Sequence, residues 1–377
     1  DLDIKLIHTG LEDVHRIDTL QPFVDHFYEM LSEYPNAEIL INLSSGTPQM
    51  KLIMSYLSVE HDAVRGIQVD SPQRGSNRSE AAVHDDEDID IVIENNFDDQ
   101  EDSENRCHEP QMGYIKRNNI KQSLYTLINS YKYKEAISLY HGYKRTFEDG
   151  VHNDVLPLLE HAQLRLGLDY DGALQKSRKV GAVSLSSSFT DKKLRKLYDF
   201  LMLMEVRLKQ DQIEDFVLKT TPFMYELMRY YFTKEFDVNW RQVEKKTSKG
   251  VRLDMVAFKN QYPKLYESWR ENSDTPYLQE LQVSFYHMLH MLEDYDTVDR
   301  SLLNQLKEIR RIEQKIRNKM AHEVVVFTEQ DICKAAEIQS LQSFLHQIKG
   351  VFFIITGQAK QNKLIYDVIN QYVLEQI

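Results

Sequence analysis

The stretch Glu38-Ile39-Leu40-Ile41-Asn42-Leu43-Ser44-Ser45-Gly46-Thr47-Pro48-Gln49-Met50 decides how the first part of the chain folds. Ile39, Leu40, Ile41 and Leu43 form an aliphatic run of strand length. Ser44, Ser45, Gly46 and Thr47 interrupt it, and Pro48 stands where a first helical residue needs no backbone N–H partner. The order is therefore strand, small-residue turn, helix. Hydroxyl groups, a glycine and the N–H groups of a helix start together make a site for an anion, most often a phosphate. The same residues also read as a plain Thr47 N-cap closing a strand–helix turn, and the chemistry alone favours neither.

On both sides of this stretch strands and helices alternate. Asp3–His8 reads as a strand and Gln21–Glu33 as a helix, with Phe23, Phe27, Met30 and Leu31 at helical spacing. Pro48–Glu60 reads as a second helix and Val64–Val69 as a strand. Ile89, Ile91 and Ile93 alternate with Asp90 and Val92, as in a later strand. The pattern predicts a doubly wound α/β sheet, a fold that takes ligands at the carboxyl ends of its strands. The Ser-Ser-Gly-Thr turn lies at one such end, and Thr9-Gly10 at another that lines the same crevice.

At 377 residues the chain suits two or three domains, and a hydrophobic fraction of 42% is ample for their cores. No window of eighteen apolar residues exists, so neither a transmembrane helix nor a membrane partner is expected, and no signal peptide is read. Cys107 and Cys333 are the only cysteines, which excludes a disulfide framework and a multi-cysteine zinc site and suits a reducing cytoplasm. The net charge of −13 has a local origin. Ser79–Asn105 holds twelve Asp and Glu and no Lys or Arg; without those twelve, 47 acidic residues face 46 basic ones. The segment reads as a solvated acidic loop in preference to a cation site.

Asn42-Leu43-Ser44-Ser45-Gly46-Thr47-Pro48-Gln49-Met50 resembles the signature loop of the CARF domain in the type III-A CRISPR-associated ribonucleases. The resemblance implies that this loop grips a cyclic oligoadenylate, cyclic hexaadenylate being favoured over the tetraadenylate. Asn42, Ser44, Ser45, Gly46, Thr47, Gln49, Thr9 and Gly10 are then the expected ligand contacts. Domains of that family begin with a further strand–helix unit, which this chain is expected to lack.

From about Tyr114 the strand signals fade. Ile115–Tyr131 and Lys134–Tyr143 read as a helical hairpin, with helices following near Asp154–Leu166 and Leu168–Lys179. Val183–Ser188 reads as a linker, and beyond it 191–210, 212–235, 277–293, 298–322 and 329–355 read as helices. In the second-last of these stands Arg317-Asn318-Lys319-Met320-Ala321-His322. An Arg five positions before a His is a common accident in helices, and the bland reading is an exposed Arg and a helix-end His. Arg310, Arg311, Lys315 and Lys319 nevertheless make this helix basic, as a phosphate-binding surface requires. The string is also similar to the signature of HEPN ribonucleases, and a CARF domain, a helical spacer and a HEPN domain follow one another in the CRISPR enzymes. The expected division is 1–112 CARF, 113–185 helical spacer and 186–377 HEPN, an α/β domain followed by all-α ones.

The residue types suit cleavage of RNA by its own 2′-OH. Histidine moves protons near neutral pH, and the planar fork of arginine stabilises a crowded phosphate. No metal or other cofactor is expected. On an ideal helix Arg317 and His322 differ by about 7.5 Å in rise and about 140° in angle, so a homodimer that assembles one composite site is expected. Asn318 either orients the pair or binds a phosphate oxygen, against a reading of simple surface polarity. The expected partners are single-stranded RNA, the cyclic oligoadenylate and a second copy. Alternatives are a non-catalytic nucleotide sensor with a helical interaction domain, and a HEPN toxin without ligand control. His287 and His290 lie one helical turn apart, but with Met and aromatic neighbours they read as a packed pair in preference to a metal site.

Overall fold

A computed structural model describes residues 5–61, 63–70, 89–94, 103, 105–110, 112–142, 153–178, 180–181, 185, 189, 191–248, 250–274, 279–322, 328–359 and 363–377. The acidic loop falls mostly outside the described residues, as does the Val183–Ser188 linker except for Leu185. Packing divides the chain into two compact units, the first made chiefly of residues 1–122.

In the first unit, α1 (Gln21–Glu33) and α2 (Pro48–Glu60) flank a small sheet of β1 (Ile39–Asn42), β2 (Val64–Val69) and β3 (Cys107–His108). Both helix spans and β2 match the periodicity reading, because each has an apolar face to bury. β1 and β2 pair in parallel with Ile39 opposite Val64 and Asn42 opposite Ile67, so α2 is their crossover. β3 adds an antiparallel edge, Gln68 opposite His108. Phe27, Ile39, Leu57 and Val64 form the core cluster, with Met30, Leu31, Ile41 and Ile53 packed against it. The Arg65 guanidinium ties Glu38 at 2.8 Å and Glu109 at 2.8 Å across the sheet.

Two strand expectations are corrected. Lys5–His8 is not a strand, and Leu6 is 81% exposed; without a neighbouring strand to bond, the extended run gains nothing from strand pairing. Ile89–Glu94 is a short helix, α3, although its isoleucines alternate. A short apolar run fits either structure, and only its neighbours decide.

The second unit is helical. α4 (Gly113–Asn129), which the unit boundary crosses after Gln122, α5 (Tyr133–Gly142), α6 (Val155–Leu166) and α7 (Tyr170–Lys176) precede the long pair α8 (Lys192–Lys209) and α9 (Ile213–Phe236). The early helices of this unit are stitched to its end. The Tyr133 hydroxyl donates to Asn370 Oδ1 at 2.7 Å, and Asn370 Nδ2 donates to the Ile128 carbonyl at 2.9 Å. Those bonds reach α17 (Ile365–Gln376), which buries Tyr366, Ile369 and Val373. α8 is buried nearly all round, and its two buried acids have partners: Asp199 pairs with Arg165 at 2.8 Å and Glu205 with Lys349 at 2.5 Å.

Between α9 and the site helix the sequence signals fail. α10 (Trp240–Val243), β4 (Glu244–Thr247), β5 (Gly250–Asp254), α11 (Met255–Gln261), α12 (Pro263–Asn272) and β6 (Glu280–Leu281) fill the interval. β4 and β5 form a hairpin whose Glu-Lys-Lys-Thr arm has no apolar alternation to read. The expected helix 277–293 shrinks to α13 (Phe285–His290), because β6 pairs with β5 and Ser284 caps a new helix start. After α14 (Arg300–His322) the expected helix 329–355 is broken into α15 (Glu329–Ala336) and α16 (Leu341–Thr356). Glu337 takes a left-handed φ of 59°, and Ser340 caps the restart by accepting from Ser343 N at 3.0 Å.

Candidate functional site

The first candidate lies on α14. Asp299 starts this helix by accepting from Ser301 N at 2.8 Å. Leu302, Leu306, Ile309, Ile312 and Ile316 are all buried at three-four spacing, which fixes the rotation of the helix on its core. Arg317 follows Ile316 and is turned outward, its side chain 54% exposed, with Asn318 exposed beside it. His322 closes the helix; its side chain lies outside the described part. The helix thus carries both partners of the expected pair five positions apart.

The four basic neighbours are placed differently from one another. Arg310 points inward, its Nη1 donating to buried Glu313 at 2.5 Å and its guanidinium 5.7 Å from the centre of the Tyr286 ring. Arg311 donates to Glu308 at 2.7 Å and to Glu337 at 3.1 Å, and Lys315 pairs with Glu337 at 2.7 Å. These bonds hold the Glu308 and Glu337 carboxyls below their usual range, first through hydrogen bonds from Arg311 and Lys315 respectively. Lys319 is half-buried and faces Asp331 electrostatically. Arg317 sits against Glu313 at a looser 3.6 Å. Glu313 is the residue that the sequence reading passes over. An acid in a polar helix normally belongs to the wet face, and its one visible signal is the position four residues before Arg317.

His287 and His290 behave as a packed pair. His287 is part of the α13 capping box, where Ser284 N–H donates to its Nδ1 at 3.2 Å, and burial holds its pKa below the ordinary value. No group of three or more metal-ligating side chains occurs among the described residues.

The second candidate is the loop after β1. The Asn42 carboxamide oxygen accepts from Ser44 N at 2.8 Å and its nitrogen donates to Ser45 Oγ at 3.4 Å, so the loop is folded on its first residue. Ser44 is bound elsewhere, its Oγ accepting from Val69 N at 2.6 Å and donating to Val69 O at 3.3 Å. Thr47 is the N-cap of α2, accepting from Met50 N at 3.3 Å while its hydroxyl donates to Val14 O at 2.9 Å. Gly46 has φ +93°, a conformation that side chains strongly disfavour. Asn42, Ser45 and Gly46 are exposed, and Gln49 Oε1 is buried without a hydrogen-bond partner among the described residues. Thr9 is half-buried and Gly10 exposed at φ +65°. They belong to the segment that Thr47 anchors through Val14.

A groove of about 1100 Å³ in the second unit, lined by Lys196, Phe200, Phe223 and Trp240 among others, contains none of these residues. No helix among the described residues is long and apolar enough to cross a membrane.

Two family models match the chain. The Cas_Csm6 CARF domain model covers residues 3–107 and the Cas_Csm6 HEPN domain model covers 186–374. A CRISPR system endoribonuclease Csm6 of Mycobacterium tuberculosis (strain ATCC 25618 / H37Rv) is 23% identical over 388 residues, spanning 100% of this chain and 84% of that protein. The Csm6 endoribonuclease of Enterococcus italicus is 26% identical over 223 residues, 57% of this chain and 48% of its own length. The solved structure of Enterococcus italicus Csm6 bound to cyclic hexa-2′-fluoro-hexa-dAMP shares the fold, with a TM-score of 0.68 at 18% identity over 97% of this chain and 82% of that one.

Proposed function

The chain belongs to the Cas_Csm6 family of CARF–HEPN proteins, CRISPR-associated ribonucleases, and from that premise we propose how it works. It is a metal-independent endoribonuclease for single-stranded RNA, active as a homodimer in the cytoplasm and switched on by a cyclic oligoadenylate. The observation that carries this reading is Arg317 turned outward on α14 with exposed Asn318 beside it, Arg317 standing five residues before a helix-ending His322, inside the HEPN-matched segment.

The RNA brings its own nucleophile, the ribose 2′-OH. His322 moves the proton between 2′-OH and leaving oxygen, Arg317 binds the phosphate oxygens as charge builds on them, and Asn318 holds one of these groups in place. Because Arg317 and His322 lie about 140° apart around one helix, both copies in a dimer are needed to surround one phosphate. In the first unit the exposed Ser45 hydroxyl, the Gly46 backbone and the buried Gln49 oxygen, which has no hydrogen-bond partner among the described residues, favour a polar, phosphate-bearing ligand. The six-membered ring in the Enterococcus italicus structure favours cyclic hexaadenylate as the first ligand to try. The ligand acts by binding one conformation better than another, since only differential affinity can shift an equilibrium.

The test is cleavage of a fluorogenic single-stranded RNA across a panel of cyclic oligoadenylates, with EDTA present. Activity stimulated by one ring, and 2′,3′-cyclic phosphate ends on the products, are expected. His322→Ala and Arg317→Ala should each remove cleavage, a loss of about 10²-fold or more for a proton-transfer group, while leaving the molecule folded. A strict requirement for a divalent metal overturns the mechanism. An RNA left intact under every ring returns the non-catalytic sensor, and full activity without any ring returns the unregulated toxin.

A further inference from the structure

Glu313 is a carboxylate in a core position. It is 1% exposed and stands on the same buried stripe of α14 as Ile309, Ile312 and Ile316. Burying a charge there is unfavourable unless it is paired, and an apolar side chain would serve the packing as well. Its hydrogen-bond partners come from two helices, α9 and its own α14. The Thr221 hydroxyl on α9 donates to Oε1, and Arg310 Nη1 donates to Oε2 at 2.5 Å. Arg310 is itself held over the Tyr286 ring of α13. The carboxylate is thus held by α9 and by its own α14, with α13 behind Arg310, and a further cation against it is Arg317, 3.6 Å from Oε1.

We infer that Glu313 is a positioning residue for Arg317. An ordinary helix-surface pair of this spacing contributes only a few tenths of a kcal/mol, because both ends are wet and mobile. Here the acid end is immobile and dry, so the exposed arginine is held through its Nη1 atom to a fixed point. The tether narrows the rotamers of a long side chain before substrate arrives. Arg310 and Thr221 already satisfy the carboxylate, so Arg317 is oriented without being consumed and keeps its remaining N–H donors for a phosphate. The inference rests on the reading that Arg317 acts on RNA.

The experiment compares the parent with Glu313→Gln, Glu313→Asp, Thr221→Val and Arg317→Ala. Each is assayed on fluorogenic single-stranded RNA with and without cyclic oligoadenylate, alongside a thermal melt. Misplacing a catalytic group by an ångström costs up to about 10²-fold. Glu313→Gln is therefore expected to lower kcat by about tenfold or more, with KM for RNA within about twofold and the protein fully folded at assay temperature. Thr221→Val should shift kcat in the same direction by less, and Glu313→Asp should recover part of the rate. A parental kcat in Glu313→Gln, or losses in Glu313→Gln and Thr221→Val that merely follow the folded fraction, overturn the positioning role. Should Glu313→Gln not fold, the kcat of folded Thr221→Val decides. A parent that cuts no RNA, or an Arg317→Ala that cuts at the parental rate, sinks the active-site reading and this role with it. A dead Arg317→Ala beside a normal Glu313→Gln removes this role alone.

Discussion

Gly46 shows how much one residue of the ligand loop decides. Its φ of +93° is open to glycine and strained for any β-branched residue, and a Cβ there would stand 3.4 Å from Met50 Cβ at the first turn of α2. Gly46→Val must therefore move the loop. We expect cyclic hexaadenylate affinity, read by isothermal titration, to fall about tenfold or more, since left-handed strain alone is of order 1–3 kcal/mol. Gly46→Ala should lose less. Unchanged binding and response in Gly46→Val would show that this loop does not sense the ligand. The string around Gly46 was legible in the sequence because each residue type is restrictive there: Pro48 sits at a first helical position and Thr47 does cap the helix. The division of labour within it was not legible. Ser44 looks like Ser45 on paper, yet its hydroxyl is spent on β2, and only the partner strand reveals that. Glu313 was hidden for a like reason, since Thr221, which bonds it from α9, is distant in sequence.

At the scale of elements, the Ser44 clamp makes loop and strand one object. Its hydroxyl both accepts from and donates to the backbone of Val69, at the carboxyl end of β2. Ser44→Ala leaves the Val69 N–H without that partner; the bond is half-buried, and its loss costs up to about 1–3 kcal/mol. Faster hydrogen exchange at the Val69 amide and weaker oligoadenylate binding are expected together. Exchange at the parental rate would show that the clamp contributes nothing. Helices with a long apolar stripe were readable from spacing alone: α1 and α2 match residue for residue, and α14 within two residues. Elements that depend on a neighbour were not. The β4–β5 hairpin is polar and short, α3 has a strand's alternation, and the break before α16 needed the Ser340 cap to be recognised inside an otherwise helical run.

For the molecule as a whole, acid sensitivity follows from one buried imidazole. His161 is fully buried in the second unit, its Nδ1 donating to the Ala173 carbonyl at 2.8 Å, and desolvation pushes its pKa down to about 4 from 6.5. Between those values the unfolded chain binds a proton that the native one refuses. Its contribution is therefore intact above pH 6.5 and is lost as pH falls toward 4, by about 3 kcal/mol in full and about 2 kcal/mol by pH 5. Urea unfolding at pH 7.5 and pH 5.0 should show that loss in the parent and a smaller one in His161→Gln; equal losses would discount this residue. The passage from an α/β fold to a mostly helical one was legible where alternating strands and helices give way to helices, since that change reflects what each part must bury. The three-strand sheet of the first unit has a further consequence. Only eight apolar side chains among its described residues are buried, against long runs of them along α8, α9, α14 and α16. Such uneven cohesion means that native chains open one part at a time, and the part that opens most cheaply is the one carrying the Asn42–Gln49 loop. A molecule that binds there only in the closed form draws on this equilibrium, so occupancy would register first as slower local opening and as a rise in that part's own melting point that grows with concentration.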